Sequence, residues 1–126
     1  MSAMLEHANV TVSDAQNTAR WMADVFGWHI RWQGPSLDGG HSLHIGTPDQ
    51  YLALYQPKLP AEDASSSYRT VGGLNHLAVT VGDIDSAEQK VVAAGFRPES
   101  HANYEPGRRF YFHDADGIEY EIVQYD

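Results

Sequence analysis

The apolar positions fall into two stretches of the same design. From His7 to Val12 they alternate, with Ala8, Val10 and Val12 on one side and His7, Asn9 and Thr11 on the other. That period of two predicts a strand packed on one face. A helix-length stretch follows, with a capping box expected at Ser13 and Gln16 and a stop at Gly27 before Trp28. Three short strand-like runs come next, Trp28 to Gln33, His41 to Gly46 and Tyr51 to Gln56, with Gly39-Gly40 and Pro48-Asp49 as turns between them.

The second stretch repeats the first. Residues 5–14 read LEHANVTVSD and residues 74–83 read LNHLAVTVGD, identical at six of ten positions. A second capping box is expected at Asp85 and Glu88, and a second stop at Gly95 before Phe96. Strands are predicted over Phe96 to Ala102, Arg108 to His113 and Glu119 to Tyr125. The chain thus reads as two βαβββ modules, residues 1–56 and 74–126, joined by a Pro-, Ser- and Gly-rich linker over residues 57–73. Neither half could bury enough surface by itself, so the two are expected to pack as a single α+β domain.

Composition narrows the chemistry. With no cysteine among 126 residues, disulfides, thiolate catalysis and thiolate metal ligation are excluded. Seventeen acidic against eight basic residues leave a formal charge of -9, which repels phosphate backbones, so no nucleic-acid partner is expected. No apolar run is long enough to span a bilayer, and the first residues do not resemble a signal peptide, so no membrane partner and a cytoplasmic location are expected. The seven histidines stand out in a chain this poor in lysine and arginine.

Alternation also sorts the candidate functional groups. In the fifth strand Leu77, Val79 and Val81 oppose His76, Ala78 and Thr80. In the seventh, Phe110 and Phe112 oppose Arg109, Tyr111 and His113. In the eighth, Tyr120 and Ile122 oppose Glu119, Glu121 and Val123. Overlaying Tyr51–Gln56 on Glu119–Gln124 sets Ala53 against Glu121. The repeat therefore relates four positions: His7, Ala53, His76 and Glu121. The register of His44 stays open at this point, because the turn over residues 47–50 admits a slip of one residue.

The paired His-x-x-Val-x-Val-x-Asp-like strands and the closing run Phe110-Tyr111-Phe112-His113-Asp114-Ala115-Asp116-Gly117, followed by Glu121, resemble the vicinal oxygen chelate superfamily. That superfamily holds glyoxalase I, extradiol dioxygenases, fosfomycin-resistance transferases and bleomycin-resistance proteins. The resemblance covers essentially the whole chain. It implies tandem βαβββ modules forming a curved, partly open mixed-sheet barrel, with metal ligands on the first and last strand of each module. Carried over by position, the ligands would be His7, His76 and Glu121. Ala53 supplies none, which departs from glyoxalase I, a lyase, and leaves the two-His, one-Glu set of the dioxygenases and fosfomycin enzymes. Such a set suits Fe2+, Mn2+, Ni2+ or Zn2+. The implied function is a metal-dependent enzyme acting on a small oxygen-chelating substrate, with the metal as Lewis acid and Tyr111 as general acid or substrate anchor. The alternative is a metal-free drug-binding protein of the bleomycin-resistance type. A homodimer is expected in either case.

Overall fold

The structure, a computed structural model, describes residues 1–63 and 67–126. The chain divides into two compact units, Met1–Glu62 and Asp63–Asp126. Unit one runs β1 (His7–Thr11), α1 (Ala15–Phe26), β2 (His29–Pro35), β3 (His41–Gly46), β4 (Tyr51–Gln56). Unit two runs β5 (Leu77–Thr80), α2 (Ile84–Ala93), β6 (Glu99–Tyr104), β7 (Gly107–His113), β8 (Glu119–Tyr125). Each unit is one helix on one four-stranded mixed sheet, ordered β1-β4-β3-β2 and β5-β8-β7-β6. In each, the first strand runs parallel to the last and the remaining pairs are antiparallel. The fold is α+β, built from tandem βαβββ units as the sequence predicts.

Helix α1 buries Ala15, Thr18, Ala19, Met22 and Val25, the i, i+3, i+4, i+7 stripe of an amphipathic helix, over β3 and β4. Helix α2 does the same with Ile84, Ala87 and Val91 over β8. Both helices are tied to the last strand of their own sheet by one device. Gln56 Oε1 accepts the Ala15 N–H and Gln124 Oε1 accepts the Ile84 N–H, both at 2.8 Å. Each glutamine thus satisfies an N–H that the first helical turn leaves without a partner.

The caps differ from expectation by one and two residues. Asp14 caps α1, accepting the Asn17 N–H at 3.0 Å, and Asp83 caps α2, accepting the Ser86 N–H at 3.1 Å. An aspartate in extended backbone reaches the N3 amide directly, so neither Ser13 nor Asp85 is needed there. Gln16 and Glu88, freed from capping, reach across to Gln33 and His101. Gly27 ends α1 at φ 72°. Past α2, the Phe96 N–H bonds to the Val91 carbonyl and the Gly95 N–H to the Val92 carbonyl, with Gly95 at φ 95°. This C-terminal wrap keeps Phe96 with the helix end, its ring stacked 5.6 Å from Phe112, so β6 begins at Glu99 rather than Phe96.

The core of unit two is Phe110, Phe112, Tyr120 and Ile122, all fully buried. Truncating either phenylalanine to alanine would cost about 3–5 kcal/mol. In β4 and β8 the second face is buried too: Ala53 is 2% and Glu121 7% exposed. These strands are interior to their sheets, whereas β1, at an edge, leaves Ala8 exposed.

Candidate functional site

Strand β8 presents Glu121 at the centre of its sheet, flanked in register by Ala78 on β5 and Tyr111 on β7. His76 immediately precedes β5. Its Nε2 lies 3.1 Å from Glu121 Oε1, and its Nδ1 lies 2.8 Å from Asn75 Oδ1. Both ring nitrogens thus stand within hydrogen-bonding distance of an oxygen, and the tautomer sets which of them donates. Adjacent donors on a metal with bonds of about 2.0–2.2 Å sit roughly 3.0–3.4 Å apart. The His76–Glu121 spacing falls within that range, so this donor pair fits a divalent ion.

The other Glu121 oxygen, Oε2, accepts from Arg109 NH1 at 2.8 Å, with the two side chains 13% and 10% exposed. The Arg109 guanidinium also lies over the Tyr104 ring at 4.7 Å. Tyr111 stands edge-on to His76 at 5.7 Å between centroids. Burial, and after it the Glu121 charge, pushes the Tyr111 phenol above its ordinary range, so it keeps its proton at neutral pH. It is therefore suited to donate a proton or hydrogen bond, not to abstract one. Nearby, the Tyr68 hydroxyl donates to Glu119 Oε2, and that bond is the main reason its phenol is pushed up to about 12.

Unit one places its counterparts by the same registers. His44 pairs with Ala53 as Tyr111 pairs with Glu121, which resolves the slip the sequence left open. The result is a row of rings crossing β1, β4, β3 and β2: His7 on Tyr51 at 4.8 Å, Tyr51 on His44 at 4.6 Å, His44 on Trp32 at 5.1 Å. Arg31 sits over the Tyr51 ring at 4.5 Å, and His7 Nδ1 lies 3.1 Å from Glu6 Oε1. Burial, with the neighbouring His7 and Arg31, holds His44 below the usual imidazole range, favouring its neutral form.

The structure therefore brings His76, Glu121 and Tyr111 of unit two together, and places His7 in the ring row of unit one. No group of three or more His, Asp or Glu side chains is gathered for metal binding among the described residues. Arg109 is the residue the sequence reading passed over. Alternation had already put it on the Glu121 face, and a lone cation on a face of acid and imidazole was the available signal. A cavity of about 350 Å³ in unit two lies elsewhere, between α2 and the β6–β7 edge. It is lined by Ile84, Glu88, His101, Phe110 and neighbours, and shares only Arg109 with this cluster.

Residues 4–122 match the family described as the Glyoxalase/Bleomycin resistance protein/Dioxygenase superfamily. No curated protein matches the sequence. Among solved structures, the chain is similar to a glyoxylase/bleomycin resistance protein/dioxygenase domain from Frankia sp. EAN1pec, with 22% identity, TM-score 0.84 and all of both chains covered. It is similar to TnmS3, an antibiotic binding protein from Streptomyces sp. CB03234, at 19% identity and TM-score 0.74, covering 99% of this chain and 98% of that one. A mutant of the fosfomycin resistance protein FosX from Listeria monocytogenes, complexed with Mn(II) and 1S,2S-dihydroxypropylphosphonic acid, aligns at 16% identity and TM-score 0.73, covering 98% of this chain and 93% of that one. At these identities the likeness is one of fold. No helix among the described residues is long and apolar enough to cross a membrane.

Proposed function

Because the chain belongs to the Glyoxalase/Bleomycin resistance protein/Dioxygenase superfamily, we propose that it is a metal-dependent enzyme acting on a small substrate that chelates through oxygen. His76 and Glu121 of unit two hold the divalent ion. The observation that carries this reading is His76 Nε2 set 3.1 Å from Glu121 Oε1, with Asn75 on the far ring nitrogen. Such outer partners fix the tautomer of a ligating imidazole. FosX, a solved relative in fold, is complexed with Mn(II).

When bound, the ion supplies Lewis acidity to substrate oxygens. The chain's own groups do the rest. Asn75 and Arg109 orient the two ligands, and the burial of Glu121 keeps water from competing for its charge. Tyr111, protonated at neutral pH, donates to a developing oxyanion or to a leaving oxygen. The test is metal content after purification and titration with Mn(II), set against His76→Ala. Tight binding by the parent and none by the variant supports the reading; equal binding refutes it.

A second reading, a metal-free small-molecule binder, is favoured by the ring row of His7, Tyr51, His44 and Trp32, a ready stacking surface. TnmS3 is an antibiotic binding protein of similar fold. A purified protein that neither carries nor takes up divalent metal, yet binds aromatic compounds, would favour this alternative.

A further inference from the structure

We propose that the cavity between α2 and the β6–β7 edge binds a small zwitterion with an apolar side chain, a free amino acid of the leucine class. Arg108 takes its carboxylate and Glu88 its ammonium. The cavity lies on the helix side of the sheet, where Phe110 points, whereas Glu121 and Tyr111 occupy the opposite face. The proposal therefore stands or falls apart from the metal-dependent reading.

Comparison of the two units points to it. In unit one the corresponding place is bridged directly by uncharged amides. Gln33 on β2 accepts a hydrogen bond from Gln16 on α1, and the same oxygen lies 2.9 Å from His41 Nε2 on β3. The repeat carries these positions into unit two. Asp14 and Asp83 cap the two helices, so Gln16 corresponds to Asp85. His41 pairs with Gln56 as Arg108 pairs with Gln124, so His41 corresponds to Arg108. Gln33 pairs with Leu43, the counterpart of Phe110, and in unit two the bulge between Glu99 and Ala102 sets the His101 ring 5.8 Å from that of Phe110. In place of the single bridge stand two ion pairs, Arg108 with Asp85 and His101 with Glu88, both at 2.9 Å. The cavity of about 350 Å³ has Glu88, His101 and Arg108 in its walls.

The lining matches an amphoteric guest. Ile84 and Phe110, both buried, give it an apolar side. Glu88 on α2 brings a negative charge, Arg108 on β7 a positive one and Asn103 on β6 an amide. Arg108 does not make an anion site by itself. Its hydrogen bond to Asp85, then the charges of Asp85, Glu88 and Asp83, hold the guanidinium above its ordinary range. A bare anion meets those carboxylates and a bare amine meets Arg108, whereas a zwitterion satisfies both. The existing pairs do not bar entry. Their side chains are 37% to 71% exposed, and ion pairs so open to water contribute little, so a ligand can take over either partner. The volume sits at the lower end of the range for small-molecule sites, as a free amino acid requires.

The experiment is calorimetric titration of the purified protein with L-leucine and with three molecules that each lack one part of it. Isocaproate lacks the ammonium, isoamylamine lacks the carboxylate and glycine lacks the side chain. The parent is expected to bind leucine about tenfold or more tightly than any of the three, the worth of one hydrogen bond to a charged group or of one buried side chain. Arg108→Gln should erase the advantage of leucine over isoamylamine, and Glu88→Gln its advantage over isocaproate. A general loss of structure would not separate the two in this way, and melting temperatures of both variants check the fold directly. The proposal is overturned if leucine does not bind at millimolar concentration, or binds no better than the three partial molecules. It is overturned as well if either variant binds leucine as the parent does, or weakens leucine and the partial molecules alike.

Discussion

Tyr120→Phe should destabilise the protein by about 2 kcal/mol at neutral pH, and the loss should shrink in acid. The ring is fully buried and its hydroxyl donates to Asp114 Oδ2 at 2.9 Å. Asp114 is only 8% exposed, and its Oδ1 accepts the Asp116 and Ile118 N–H groups, both at 2.9 Å. This hub closes the turn between β7 and β8, and so holds Glu121 opposite Tyr111. Phenylalanine fills the same space, so no cavity is made. What is lost is a hydrogen bond to a charged, buried acceptor, about 1.5–3 kcal/mol. For a chain of this length that is a fall in Tm of roughly 6–10 °C. The pH dependence has a definite sign. Burial raises the Asp114 carboxyl above 3.8 against the pull of its three donors, so the folded state holds that proton more tightly than the unfolded chain. Its contribution to stability therefore declines as pH rises from 3.8 through the folded value. Removing the phenol raises the folded value further, so the variant declines more steeply and the gap from the parent widens with pH. Urea unfolding at pH 7 and at pH 4, followed by circular dichroism, reads both quantities. A difference below about 0.5 kcal/mol at pH 7, or one that does not change with pH, would show that Asp114 does not depend on this bond.

Three further outcomes are expected. Ala53→Glu should lower thermal stability in a melting experiment, because the position is 2% exposed and burying a carboxylate there is costly. Gly107→Ala would set a Cβ 2.0 Å from the Gln124 carbonyl oxygen, and Gly46→Ala one 2.2 Å from that of Gln50; each should cost about 2–3 kcal/mol by denaturant titration, since the obstacle is backbone. In sedimentation velocity at high concentration the protein is expected to run as a homodimer, and a single-chain species alone would refute that.

The local signals in this chain are strong. The repeated His-x-x-Val-x-Val-x-Asp strand, the two glycine stops and the period-two runs located every strand to within three residues and assigned the faces of β7 and β8. They did so because alternation and turn chemistry are properties of neighbouring residues. The caps were misplaced because Ser13 and Asp14, or Asp83 and Asp85, are equally able acceptors, and only the path of the backbone into the helix selects between them. The same holds for the site. His76 and Glu121 were legible as repeat-related positions, but that Nε2 faces a carboxylate oxygen depends on β5 lying parallel to β8 in one register. That Arg109 reaches Glu121, or that His44 takes the place of Tyr111, follows from pairing between strands whose residues lie about ten apart along the chain. Sequence spacing determines which face a side chain occupies. Which neighbour it meets on that face is decided by sheet register, and register is set by tertiary packing.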